Sequence, residues 1–164
     1  MRLRYLYFII SVSALFASCE RDDICAESTP TTPLLIIRFY DADNPTEFKA
    51  VTNLGVVEDG DTNGLLFNTD SIAIPLRTEI DETRFQFVIN ATAADEDNPT
   101  NEDIINFNYT RTEDYISKAC GFRVTYDGLQ EARAAQDDGF WIQDLIISNT
   151  TIDNETAAHI RIFH

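Results

Sequence analysis

The sequence predicts an all-β fold: one antiparallel β-sandwich of about eight strands, immunoglobulin-like or Greek-key. Three observations predict it. Apolar residues recur at every second position, not at helical spacing. The alternating stretches are short, and turns rich in Asp, Asn, Gly and Pro separate them. The chain has 164 residues, 44% apolar and 11% aromatic, which is enough for a single domain with a real core.

"STPTTP", residues 28–33, is an extended linker into the first strand. In "LLIIRFY", Leu35, Ile37 and Phe39 share one face, against Ile36, Arg38 and Tyr40. "FKAVTNLGVV" sets Phe48, Leu54 and Val56 on one side. "SIAIPL" alternates Ile72, Ile74 and Leu76 with small residues, and Pro75 marks an edge strand because it lacks a ladder donor. "RFQFVIN" sets Phe85, Phe87 and Ile89 against Arg84 and Gln86. "INFNYT" sets Ile105, Phe107 and Tyr109 against Asn106 and Asn108. "FRVTY" sets Phe122, Val124 and Tyr126 against Arg123 and Thr125. "WIQDLIIS" and "HIRIF" complete the set. "LQEARAAQ", residues 129–136, breaks the pattern. Its good helix formers predict one or two helical turns between strands.

The first eighteen residues precede this domain and read as a secretory signal. Arg2 and Arg4 form a positive start, "YLYFIISVSALF" is an apolar run, and Ala17 and Ser18 are small, as a cleavage site requires. The run is too short for a spanning helix, which needs roughly 20 apolar residues. "LFASC" resembles the lipobox of bacterial lipoproteins. The alternative is an ordinary signal peptide followed by a chance cysteine. The resemblance implies that Cys19 becomes the acylated first residue of the mature chain, with residues 19–33 as tether and linker and 34–164 as the domain. Each buried methylene adds about 0.8 kcal/mol, so several acyl chains anchor without help from basic residues. "CERDD" resembles the lipoprotein export signal of Bacteroidota, with Arg21 in place of its lysine and with Asp22 and Asp23 as its acids. That resemblance implies the outer face of the outer membrane; the periplasmic face is the alternative.

Acylation of Cys19 leaves Cys25 and Cys120. In an oxidising compartment a disulfide is the default expectation for them. Two buried free thiols are the alternative, and a catalytic cysteine or a zinc site has less to recommend it.

Charge narrows the partners. Twelve basic against 28 acidic residues give a net charge of −16, which repels phosphate backbones, so no nucleic acid is expected. The expected partners are the membrane, through the anchor, and an outer-membrane protein. No nucleophile, phosphate-loop, dinucleotide or zinc motif occurs, and no spacing selects a catalytic residue among the carboxylates or the two histidines, His159 and His164. The expectation is a binding or envelope-assembly module without enzymatic activity or a required cofactor. One loop offers metal chemistry. "DGDTNGLLFNTD", residues 59–70, fits the outline of a calcium loop, with Asp59, Asp61 and Asn63 at alternate positions, Gly64 at the turn and Asp70 closing. A calcium-stabilised structural or adhesive domain is therefore the second reading; a polar turn before the strand at Ser71 is the plain one. "DADNPT" (41–46) and "DEDNPT" (95–100) are near-repeats and ordinary turn chemistry.

Several stretches together resemble an uncharacterised family of small Bacteroidota lipoproteins, a domain of unknown function: "DDIC…PTTPLLIIRFYD", "DSIAIPL", "YISKACGFRVTYDGL" and "WIQDLIISN…IDNE…AHIRIF". The resemblance spans Cys19 to His164. It implies a lipid-anchored extracytoplasmic domain in which Cys25 and Cys120 recur as a pair, and it implies no activity.

Overall fold

A computed structural model describes residues 24–92, 97–135 and 139–164. These residues form nine strands and no helix: β1 (Leu35–Tyr40), β2 (Val51–Glu58), β3 (Leu65–Thr69), β4 (Ser71–Ile74), β5 (Glu82–Ile89), β6 (Asn101–Ser117), β7 (Gly121–Arg133), β8 (Asp144–Ile147) and β9 (Ile160–Phe163). The chain divides into two compact units. Among the described residues the larger takes those within Thr31–Asp114 and Val124–His164; the smaller takes 24–30 and Tyr115–Arg123.

Two sheets make a sandwich-like fold, with strand orders β4-β1-β9-β8 and β3-β2-β5-β6-β7. Pairing is antiparallel for β1–β4, β2–β3, β2–β5, β5–β6 and β8–β9. β1 and β9 run parallel, a departure from the all-antiparallel expectation. No hairpin constrains these two strands, because most of the chain lies between them, so either direction is open to them.

The predicted alternation carries the core. Leu35, Ile37 and Phe39 of β1 are buried, as are Ile72 and Ile74 of β4, Phe85 and Phe87 of β5, Ile105, Phe107 and Tyr109 of β6, and Ile160 and Ile162 of β9. One hydrophobic cluster draws on both sheets. β4 is an edge strand that ends at Ile74, immediately before Pro75, where a missing N–H costs no ladder bond.

Four expectations change. Phe48 does not join Leu54 and Val56; it is exposed and lies beside Tyr40, ring centroids 5.1 Å apart, with the Arg38 guanidinium 4.1 Å above its ring. β2 starts only at Val51, and its register shifts between Val51 and Leu54, where Asn53 takes a φ of 52°. Phe122 is likewise exposed, while Val124 and Tyr126 are buried. The strand expected from Trp141 starts at Asp144. The predicted helical turns at 129–136 are instead strand as far as Arg133. Leu129 is buried and its N–H donates to the Thr150 carbonyl (2.9 Å), and the Ala134 N–H donates to the Ile104 carbonyl (3.0 Å). Ladder partners and a buried leucine outweigh the small preference of one or two helical turns. The alternation slips by one residue just before, at Gly128, whose φ of 66° suits glycine.

A polar latch pins the connection between β4 and β5. Tyr109 donates its hydroxyl proton to the Arg77 carbonyl (3.0 Å), and Thr83 Oγ1 lies 2.5 Å from Tyr109 Oη while accepting the Arg77 N–H (2.8 Å). Burial raises the Tyr109 pKa, and Tyr126, 4.9 Å away between ring centroids, is pushed up to about 12 by burial. Both hydroxyls therefore stay protonated at neutral pH. Tyr109→Phe removes one acceptor and one donor from a buried chain of bonds. A loss of about 1–3 kcal/mol in urea unfolding is expected. An unchanged midpoint and slope would show that the latch contributes nothing.

Candidate functional site

The clearest constructed feature lies in the smaller unit. Cys25 and Cys120 are joined by a disulfide, S–S 2.08 Å, across a sequence separation of 95. The turn between β6 and β7 that holds Cys120 is closed locally: the Cys120 N–H donates to Ser117 Oγ (3.1 Å), and Gly121 comes next with a φ of 73°. On the other side of the bond, the Thr29 N–H donates to the Ala26 carbonyl (2.9 Å), and Thr29 Oγ1 lies 3.8 Å from Cys120 Sγ. Cys19, Arg21, Asp22 and Asp23, with the whole signal segment, lie outside the described residues. Asp95 and Glu96 of the second near-repeat also lie outside them. Among the described residues no helix is long and apolar enough to cross a membrane.

The four calcium-loop residues are not brought together. Asp59, Asp61 and Asn63 lie in the connection between β2 and β3, whereas Asp70 sits past the far end of β3. Five strand residues span roughly 17 Å, well beyond the reach of a single ion's ligand shell. The carboxylates also have cationic neighbours: Asp59 lies 3.7 Å from Arg84, and Asp70 lies 3.7 Å from Arg38. Gly64 is needed for close approach, not for a metal turn, since a Cβ there would meet Val57 Cγ2 at 2.6 Å. Thermal midpoints of the full chain are expected to coincide in calcium and in chelator. A higher midpoint in calcium would restore this loop as a site.

The histidines are occupied structurally. His159 is buried, and its Nδ1 accepts the Ile36 N–H at 3.0 Å. Burial lowers its pKa below the ordinary 6.5, against smaller upward pulls from an Asn154 backbone bond and from Asp153 and Glu155. His164 packs edge-on against Phe39 and Trp141, and burial lowers its pKa too. The unfolded chain thus binds protons at these sites more readily than the folded one does. Their contribution to stability is complete above pH 6.5 and falls as the pH drops below it. NMR titration is expected to give both imidazoles midpoints under 6.5, and His159→Asn, which retains an acceptor near the Ile36 N–H, is expected to reduce the loss of melting temperature between pH 7 and 5. An imidazole titrating at or above 6.5 would contradict this.

Two polar side chains that sequence reasoning passed over hold the core's edges. Asp103 is buried, and its Oδ2 accepts the Ile142 N–H at 2.7 Å, while Arg133 donates to the Ile142 carbonyl at 2.9 Å. Its place in the alternation with Ile105, Phe107 and Tyr109 was the available signal. Thr83 stands in the same relation to Phe85 and Phe87. Two open grooves mark the outer faces. One, of about 340 Å³, is bordered by Glu82, Arg84, Asn106 and Arg133. The other, of about 410 Å³, is bordered by Ala42, Pro45, Ile146 and Phe163.

Residues 51–164 match a family described as "Family of unknown function (DUF6452)". The chain belongs to this family. No curated protein and no solved structure matches the chain. The DUF6452 span takes in eight of the nine strands and Cys120, and it begins after β1 and Cys25.

Proposed function

We propose that this DUF6452 protein is a lipid-anchored extracytoplasmic module of a bacterial outer membrane, and that it binds or assembles other envelope components without catalysing a reaction. The observation that carries the reading is the Cys25–Cys120 disulfide. Disulfides persist in oxidising compartments, and this one uses every cysteine except Cys19. Cys19 stands where the lipobox resemblance requires it, at the end of a signal-like apolar run. Several ionisable side chains already have structural partners. Glu58 pairs with Arg77, Asp81 lies 2.7 Å from Arg111, and both histidines are packed against core or backbone.

The experiment is fractionation of producing cells followed by mass spectrometry of the N-terminal peptide. An acylated Cys19 in the outer-membrane fraction is the expected result. An unmodified mature chain in the soluble fraction would remove the reading. Protease shaving of intact cells then separates cell-surface from periplasmic display. Affinity purification from detergent-solubilised envelopes tests the binding role, with an outer-membrane barrel protein as the partner class, and recovery of the chain alone would count against it.

A further inference from the structure

The β6–β7 hairpin end and the segment bridged to it carry the most exposed of the large apolar side chains among the described residues. Tyr115 and Phe122 are 60% and 65% exposed, and they face each other across the hairpin with ring centroids 5.3 Å apart. Ile24, beside Cys25, is 84% exposed. Single exposed apolar residues are ordinary, but here three large ones belong to the segments that one disulfide ties together. Charge also differs. Residues 115–123 carry Lys118 and Arg123 and no acid, in a chain of net charge −16. An exposed aromatic pair with exposed Lys118 in the adjoining turn suits the interface between lipid headgroups and acyl chains, where amphipathic rings concentrate.

The tether decides which surface that is. Cys19 and Cys25 stand six positions apart, a stretch that spans at most about 22 Å when fully extended. The disulfide then places the Cα atoms of Cys25 and Cys120 4.9 Å apart. A chain acylated at Cys19 therefore cannot carry this hairpin end far from the bilayer.

We propose that Tyr115, Phe122 and Ile24 form a foot that rests in the headgroup region of the lipid surface holding the anchor. The foot depends on the anchored reading above. The anchor keeps the chain at the membrane; the foot restricts how the hairpin end is presented there, with exposed Lys118 toward anionic headgroups.

The test uses the full-length protein purified from membranes and reconstituted in vesicles of phosphatidylethanolamine and phosphatidylglycerol, with and without brominated acyl chains. Phe122→Trp is the reporter and Tyr115→Trp the second one. Both positions are exposed, so neither replacement disturbs the core. Brominated lipid is expected to quench about half of the tryptophan emission that each variant adds over the unsubstituted protein in the same vesicles, as an interfacial ring requires. A chain that carries the acyl mass and floats with the vesicles, yet shows no quenching at either reporter, overturns the foot and leaves the anchor standing. Quenching of a chain without acyl mass removes the anchor and overturns the foot as proposed, because the anchor is what places it. Neither acyl mass nor quenching removes both.

Discussion

Residues 51–164 alone, the span that matches the family, are expected not to fold. That span lacks β1, which lies between β4 and β9 in the four-stranded sheet. Leu35, Ile37 and Phe39 have no exposed surface at all. Burial of each such side chain contributes about 1.5–3 kcal/mol, and whole domains are stable by only about 5–15 kcal/mol. The loss also strands two ladders. β4 pairs with β1 from Ile74 to Ser71, and β9 pairs with it from Ile160 to Phe163, so the facing backbone groups of both strands lose their partners. His159 would lose both of its bonds to Ile36, the one its Nδ1 accepts and the one its N–H donates. Near-UV circular dichroism and urea unfolding are the measurements. No cooperative transition is expected from 51–164, against a single one from the full chain. A cooperative transition with the full chain's slope would mean that the sheet closes without β1.

The double variant Cys25→Ser, Cys120→Ser is expected to lose about 2–4 kcal/mol of stability. Bridging residues 95 apart removes a large share of the freedom of the unfolded chain, and longer loops gain more. Within the smaller unit the hydrogen bonds on either side of the bridge are short-range, Thr29 to Ala26 and Cys120 to Ser117. The disulfide is a covalent link between residues 24–30 and the hairpin turn, with Thr29 Oγ1 3.8 Å from Cys120 Sγ beside it. The variant should show a lower urea midpoint and faster proteolytic cleavage ahead of β1, and reductant should reproduce both in the native chain. A change under about 0.5 kcal/mol, the scale of an ordinary surface substitution, would show that the segment is held without the bond.

Legibility tracked chemistry that repeats locally. Alternation at period two identified the inward faces of β1, β4, β5 and β6, because each residue's side is set by its neighbour's. It failed where the phase breaks. Asn53 and Gly128 take positive φ and shift the phase of their strands. Phe48 therefore fell out of line with Leu54, and the residues after Gly128 no longer continued the phase of Tyr126. Phe122 was misplaced for another reason. It is in phase with Val124 and Tyr126, but the core ends before it reaches that turn. Asp59, Asp61, Asn63 and Asp70 looked like one loop because spacing cannot show that a strand runs between the last two.

What the sequence determined by itself is the all-β class, the inward residues of most strands and the cysteine pair, since each is encoded by a short pattern or by composition. Tertiary structure alone decided that β1 joins the last strand in parallel, that helix-favouring residues complete β7, and that three apolar side chains stand exposed around one disulfide. Each of these depends on residues far apart in the chain: a strand's direction is set by the partner it finds, helix propensity is outweighed once distant carbonyls accept its N–H groups, and an apolar side chain is buried only where another element arrives to cover it.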